Sequence, residues 1–225
     1  APAEHLDANQ HIRCCREPHL YGGCPMRFVP ERTAYDIAKG GISDGVFMSS
    51  RDGRHFYRWR EALIRPGLWN ENWICRNNMI AWGILETQSS TRGQTELSIY
   101  STESYYSQSQ CNQLRRHTLR LDGFAAVHAS ANPGTLTTKT LTFSGSNLHL
   151  NYSTSATGGL KVELQYPDCR PIKGFSLKDC DDIFGDKTSQ AITWQNRSDL
   201  RSLIGTPIRI HIQMHDADLF AIQFK

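Results

Sequence analysis

Two carboxylates and two short polar runs carry the chemistry that this sequence could perform. Asp52 closes the run Ser43 to Arg51 and precedes Gly53, and Glu103 ends an alternating run that starts at Glu96. Paired carboxyl groups about 5–5.5 Å apart can cleave a glycosidic bond with retention, and wider pairs with inversion. Asp52 and Glu103 are therefore the candidate catalytic residues, with Glu17 and Glu71 behind them. Around them stand groups suited to hydroxyls: Arg16 and His19 in one run, Arg76, Asn77 and Asn78 in another, and Tyr105 just beyond Glu103. Guanidinium and amide groups hold hydroxyls bidentately, and aromatic faces cover the apolar side of a sugar ring. Trp69 and Trp73, in the loop that feeds Arg76, are the candidate platforms, and Trp73 joins the binding set. Each candidate has a plainer alternative. Asp before Gly commonly caps its own turn, Glu103 could be a solvated strand end, His19 a core histidine, and the amides of Asn77 and Asn78 could satisfy loop carbonyls.

The elements that must position these residues read as strands throughout. Asp44 to Trp59 gives strand, Asp52-Gly53 turn, strand, the strongest short hairpin signal. Arg76 to Glu86 reads as a buried strand with a polar start. Glu96 to Thr102 alternates, Leu114 to Leu121 follows a second loop around Gln108, and Phe124 to Ala129 is a last short strand after Asp122-Gly123. Four short strands in up-and-down order form the unit of a β-propeller. Composition changes near Asn132-Pro133-Gly134, and Thr-rich alternating runs follow: Leu136 to Phe143, Leu148 to Ser153, Leu160 to Gln165, Ala191 to Trp194, Ile208 to Met214 and Leu219 to Phe224. These predict an antiparallel β-sandwich. The expected fold class is all-β: a partial β-propeller of about two blades over residues 1–132, then an antiparallel β-sandwich over 133–225.

In an up-and-down blade the inner strand starts at the rim where the second strand ends. Arg76, Asn77 and Asn78 should then share a rim with Glu103, Tyr105 and Tyr106, and Glu86 should lie on the opposite face. Arg16 to His19 and Arg51-Asp52 repeat the arrangement one blade earlier, so two polar mouths are expected to converge. Arg115 and Arg116, further out, read as a solvated face, and Trp59 and Trp82 as core.

Composition excludes several classes of partner. The 225 residues are 39% hydrophobic and 21% charged, with net charge +3 and no basic tract. Nucleic-acid and membrane-surface binding are not indicated, and no apolar run approaches the roughly 20 residues that cross a bilayer. The seven cysteines show no paired zinc spacing, and His211 and His215 sit four apart on an expected strand, so no metal or other cofactor is expected. Most of the cysteines read as small buried hydrophobes, with Cys169 and Cys180, which bracket one loop, as the pair that an oxidising compartment could join. Asn151 and Asn196 each begin a glycosylation-type sequon.

Several strings occur together: Arg-x-Pro-His-Leu-Tyr from Arg16, Ser-Asp-Gly-Val-Phe-Met-Ser-Ser-Arg-Asp-Gly from Ser43, Arg-Asn-Asn-Met-x-Ala-Trp-Gly-Ile from Arg76, and Arg-Arg-His-Thr-Leu-Arg-Leu-Asp-Gly-Phe from Arg115. Gly174 to Asp186, Ser198 to Arg209 and Asp216 to Ala221 complete the set. With them the chain, from Arg13 onward, resembles a group of bacterial proteins similar to glycoside hydrolase family 32. The resemblance implies a five-bladed propeller carrying the active site and a C-terminal β-sandwich. It also implies a carbohydrate ligand and metal-independent hydrolysis by paired carboxylates. The sequence does not fix a location, and an extracytoplasmic or secreted one is the expectation. The chain departs from the family pattern. The Trp-x-Asn-Asp-Pro-Asn-type motif is missing, as are the Arg-Asp-Pro and Glu-Cys motifs, and Arg51-Asp52-Gly53 lacks the Pro. A five-bladed propeller takes roughly 250 to 300 residues, so the chain reads as the C-terminal part of a glycosidase-like protein, or as a truncated relative that is inactive alone. The alternative is a non-catalytic carbohydrate-binding or structural β protein. Self-association would cover an incomplete propeller.

Overall fold

Residues 45–48 of the strand Ile42–Ser50 are buried in succession, so the strand is covered on both faces and is the axis of the first sheet, with Val46 and Met48 among the most buried side chains of its unit. The computed structural model describes residues 3–14, 16–33, 40–91, 93–105 and 111–225. They fall into two compact units, Ala1–Leu119 and Arg120–Lys225. Both are built of antiparallel sheets, and the fold is all-β.

The first unit opens with β1 (His5–Asp7), β2 (His11–Arg13), β3 (Tyr21–Gly23), β4 (Met26–Val29), β5 (Ile42–Ser50) and β6 (Phe56–Ile64), in sheet order β1-β4-β5-β3-β2 with β6 on the other edge of β5. The β5–β6 hairpin forms where the Asp52-Gly53 signal places it, with Ser50 opposite Phe56. Arg27 and Asp44, directly opposite on β4 and β5, form a bidentate ion pair. Cys24 is buried beside this sheet, and burial pushes its thiol up to about 12.

A second sheet in this unit runs β7 (Leu85–Gln88), β8 (Thr95–Glu103), β9 (Gln113–Arg120), in that order. The expected strand from Arg76 is interrupted. Residues 78–81 run along β8 through Asn78 N–H to Thr102 O (2.8 Å) and Ala81 N–H to Tyr100 O (2.7 Å). The chain then turns through Gly83, at φ +116°, before β7 begins. Trp82 points outward at this break and is 73% exposed, so it is not a core residue. Trp59 is half-buried, edge-on to Tyr57. Gly45 lets the segment cross β5: a Cβ there would meet Ile80 Cδ1 at 2.7 Å.

The second unit contains β10 (Val127–Ala129), β11 (Gly134–Thr137), β12 (Leu148–Gln165), β13 (Asp186–Ala191) and β14 (Arg209–Phe224), ordered β10-β14-β12-β13 with β11 also on β14. The run Phe124 to Ala129, read above as the last strand of a blade, thus contributes β10 to this sheet. The expected strand pairs 148–153/160–165 and 208–214/219–224 are fused into two long strands. Each bends at a bulge, because β12 shifts register against β14 between Thr154 and Gly159. At that bend Asp216 takes φ +42° and Gly158 lies so close to Asp216 O that no side chain fits. The inward residues of β14 switch parity there, from Ile210, Ile212 and Met214 to Ala217 and Leu219, as a bulge requires. The curled sheet and the segment 172–206 enclose one apolar core around Trp194, Leu164, Val162 and Ile210.

Cys169 and Cys180 are not joined. The Cys180 thiol is buried and takes a hydrogen bond from Val162 N–H at 3.3 Å, whereas Cys169 is exposed beside Arg209. Brief alkylation of the native protein is expected to label Cys169 and Cys111 and to spare Cys24 and Cys180, as peptide mass mapping would show. Labelling of Cys180 in folded protein would contradict its placement. Of the two sequons, Asn151 is buried with its amide on Leu121 O, and Asn196 is exposed.

Candidate functional site

Between β6 and the segment 78–81 the chain makes a single 3₁₀ turn, Asn70–Trp73, and buries a knot of amide groups. Asn77 is fully buried. Its Nδ2 donates to the carbonyls of Glu71 (3.0 Å), Ile74 (3.2 Å) and Tyr105 (3.2 Å), and its Oδ1 accepts from Tyr105 N–H at 2.8 Å. Asn78 Nδ2 donates to Ser43 O (3.1 Å) and Asn72 O (3.0 Å). Asn72 accepts from Ser104 N–H (3.1 Å) and donates to Glu103 Oε1 (3.1 Å). Arg76, Asn78 and Ser104 hold φ of +70°, +60° and +54°. Asn tolerates this region; Arg and Ser adopt it at a cost, on the order of 1–3 kcal/mol each. The amide bonds offset that cost. Asn77 and Asn78 are thus engaged by backbone, and in this conformation neither presents an amide outward.

Glu103 lies at the edge of the knot. Its side chain is 6% exposed and its Oε2 is 2.8 Å from Arg115 Nε, while the Arg115 side chain is 49% exposed. A buried carboxylate needs such a partner, because its desolvation is otherwise uncompensated. The Arg115 guanidinium also lies over the ring of Trp69, 5.7 Å from its centroid, and Trp69 is 47% exposed. Beyond it, Arg76 lies over the Tyr105 ring at 6.0 Å. Arg115 and Arg116 project to opposite faces of β9: Arg116 binds Ser98, Thr87 and Glu96 instead. On the Arg115 face, His117 Nε2 meets the buried Ser101 hydroxyl at 2.9 Å.

Burial holds His117 below its ordinary pKa, Arg115 adds to this, and Glu103 opposes it. Its folded value is therefore lower than the unfolded one of about 6.5. The unfolded chain binds the extra proton, so this contribution is complete above about pH 6.5 and is lost as pH falls through that window. Acidification from about pH 7.5 to 5.5 is expected to lower the Tm of the wild type more than that of His117→Asn. Equal drops would contradict the burial.

Of the other expected site residues, Trp73 and Tyr105 belong to this knot, while Asp52, Arg16 and His19 have other partners. Asp52 caps its own turn: Oδ1 accepts from Arg54 N–H (2.9 Å) and His55 N–H (2.8 Å), and Oδ2 is 2.6 Å from His55 Nδ1. These bonds, the His55 ring foremost, hold its carboxyl well below the usual range. Asp52 and Glu103 share no partner among the described residues. Arg16 faces Glu86 at 3.9 Å, the residue expected on the opposite face, so its mouth is not brought to the Arg76 rim. His19 is exposed, 3.6 Å from Glu17. Trp73 donates its indole N–H to Gly67 O at 2.8 Å. Tyr105 does sit beside Arg76 and Asn77, and Tyr106 lies outside the described residues.

No protein-family model, curated protein or solved structure matches this chain. Asn72, Arg115 and His117 were not singled out in the sequence as site residues. The signal for Arg115 and His117 was their period-two spacing on β9, which puts both on the face of Ser101 and Glu103. Among the described residues no group of three or more His, Cys, Asp or Glu is placed to hold a metal ion. The arrangement offers one buried carboxylate already in an ion pair, an outward guanidinium and an exposed indole.

Proposed function

We propose that this chain is a carbohydrate-binding β protein whose ligand lies against Trp69 and Arg115, and that its described residues bind without hydrolysing. One observation carries this reading: a half-exposed indole stands beside a guanidinium that a buried carboxylate fixes in place. The indole can cover the apolar face of a pyranose while the guanidinium meets ring substituents, with little side-chain entropy left to lose. The resemblance to glycoside hydrolase family 32 supports a sugar as the ligand class. Hydrolysis would need a second carboxyl group across the bond from Glu103, and Asp52 is committed to its turn.

A glycan-array screen with Trp69→Ala as the comparison tests the reading. The wild type is expected to retain a subset of glycans and Trp69→Ala to bind them at least about ten-fold more weakly, the loss typical of an aromatic anchor. Equal binding by both proteins would overturn the site. Release of reducing sugar by the wild type, absent in Glu103→Gln, would overturn the non-catalytic reading in favour of the glycosidase one.

A further inference from the structure

Every amide in the knot is engaged: Asn72, Asn77 and Asn78 give their Nδ2 groups to Glu103 and to backbone carbonyls. What faces outward from β9 is of a different kind. Arg115 uses Nε for Glu103, and neither of its Nη nitrogens hydrogen-bonds to a described residue. His117 gives Nε2 to Ser101, and its Nδ1 has no partner among the described residues. A guanidinium has donors and no acceptor. A neutral sugar hydroxyl donates as well as accepts, so a guanidinium satisfies only half of it. A carboxylate accepts at both oxygens and matches the paired Nη edge in bidentate geometry. The formal charges of Arg115 and Glu103 cancel, but their exposures do not: the cation is half in solvent and the anion is buried. A ligand approaching this face meets the guanidinium.

We infer that the rim is selective for an acidic sugar, a uronic acid residue whose ring lies against Trp69 and whose carboxylate is received by the Nη edge of Arg115. This rests on the carbohydrate reading above and adds the charge of the ligand. Recognition by the planar fork is a property of Arg that Lys, a compact point charge, does not reproduce.

The experiment is calorimetric titration with a uronic acid oligosaccharide and with the same oligosaccharide after its carboxyl groups are reduced to alcohols. The wild type is expected to bind the acidic form at least ten-fold more tightly. Arg115→Lys should lose most of that preference. The double variant Glu103→Gln with Arg115→Gln, which leaves no buried charge unpaired, should lose it entirely while its circular dichroism stays native. Equal affinity of the wild type for both oligosaccharides overturns the acidic-sugar inference and leaves carbohydrate binding standing. A preference that survives in the double variant overturns the role of Arg115. Binding of neither oligosaccharide, nor of any glycan on the array, overturns both.

Discussion

Asn77→Ala is expected to destabilise the first unit by about 3 kcal/mol, the cost of losing the four hydrogen bonds of one buried amide. Tyr105 N–H loses its acceptor, and the carbonyls of Glu71, Ile74 and Tyr105 lose the shared amide donor. Ile74 O keeps the Asn77 backbone N–H at 3.2 Å, but water can replace the lost amide only by opening the 3₁₀ turn, because Asn77 is fully buried. The strained backbone at Arg76, Asn78 and Ser104 would also lose its support. Urea unfolding followed by tryptophan fluorescence reports on this, since Trp59, Trp69, Trp73 and Trp82 all lie in that unit. A loss under about 1 kcal/mol would fit an amide facing solvent and would reopen a direct ligand role for Asn77.

Arg120→Ala should have an effect of similar size, about 3 kcal/mol, in the second unit. Strand β12 shifts register at Asn151/Tyr152 against β14, and its pairing with β13 shifts beside it. Arg120 supplies donors at this irregularity. Nε and Nη2 reach Asn151 Oδ1 at 3.0 and 2.8 Å, and Nη2 also reaches Tyr152 O (3.2 Å) and Lys187 O (3.1 Å). Nη1 pairs with Asp186 at 2.7 Å, and the guanidinium sits 4.2 Å above Phe220. For a unit of about 100 residues the expected fall in Tm is on the order of 15 °C. Arg120→Lys should recover only a minority of it, because one ammonium cannot address four acceptors in fixed planar directions. Calorimetry of both variants checks this, and full recovery by Lys would mean that charge alone suffices.

The elements that rest on local chemistry were legible in the sequence. The β5–β6 hairpin, with its Asp-Gly turn, and strands β8 and β9 follow from alternation and turn residues within a few positions. The continuity of β12 and β14 was not. Ser153 to Gly159 has the composition of a turn, and only the opposing strand shows that it is a bulge. The destination of Phe124 to Ala129 was hidden for the same reason, since pairing with β14 spans some ninety positions. At the site, polarity was readable and direction was not. Asn77 and Asn78 are polar in the sequence whether they face a sugar or five backbone carbonyls, and the latter is observed. Adjacent Arg115 and Arg116 look alike until the pleat sends one to Glu103 and the other to Glu96.

The division between a structural knot and a binding rim can be read in one titration. Nitrogen-15 NMR spectra would be recorded while a uronic acid oligosaccharide is added, following side-chain N–H signals assigned by substitution. The indole N–H of Trp69 and the Nε–H of Arg115 are expected to shift and saturate together, while the side-chain amide signals of Asn77 and Asn78 stay in place. Movement of the Asn77 and Asn78 amides with a stationary Trp69 indole would contradict the assignment and return the binding role to the knot.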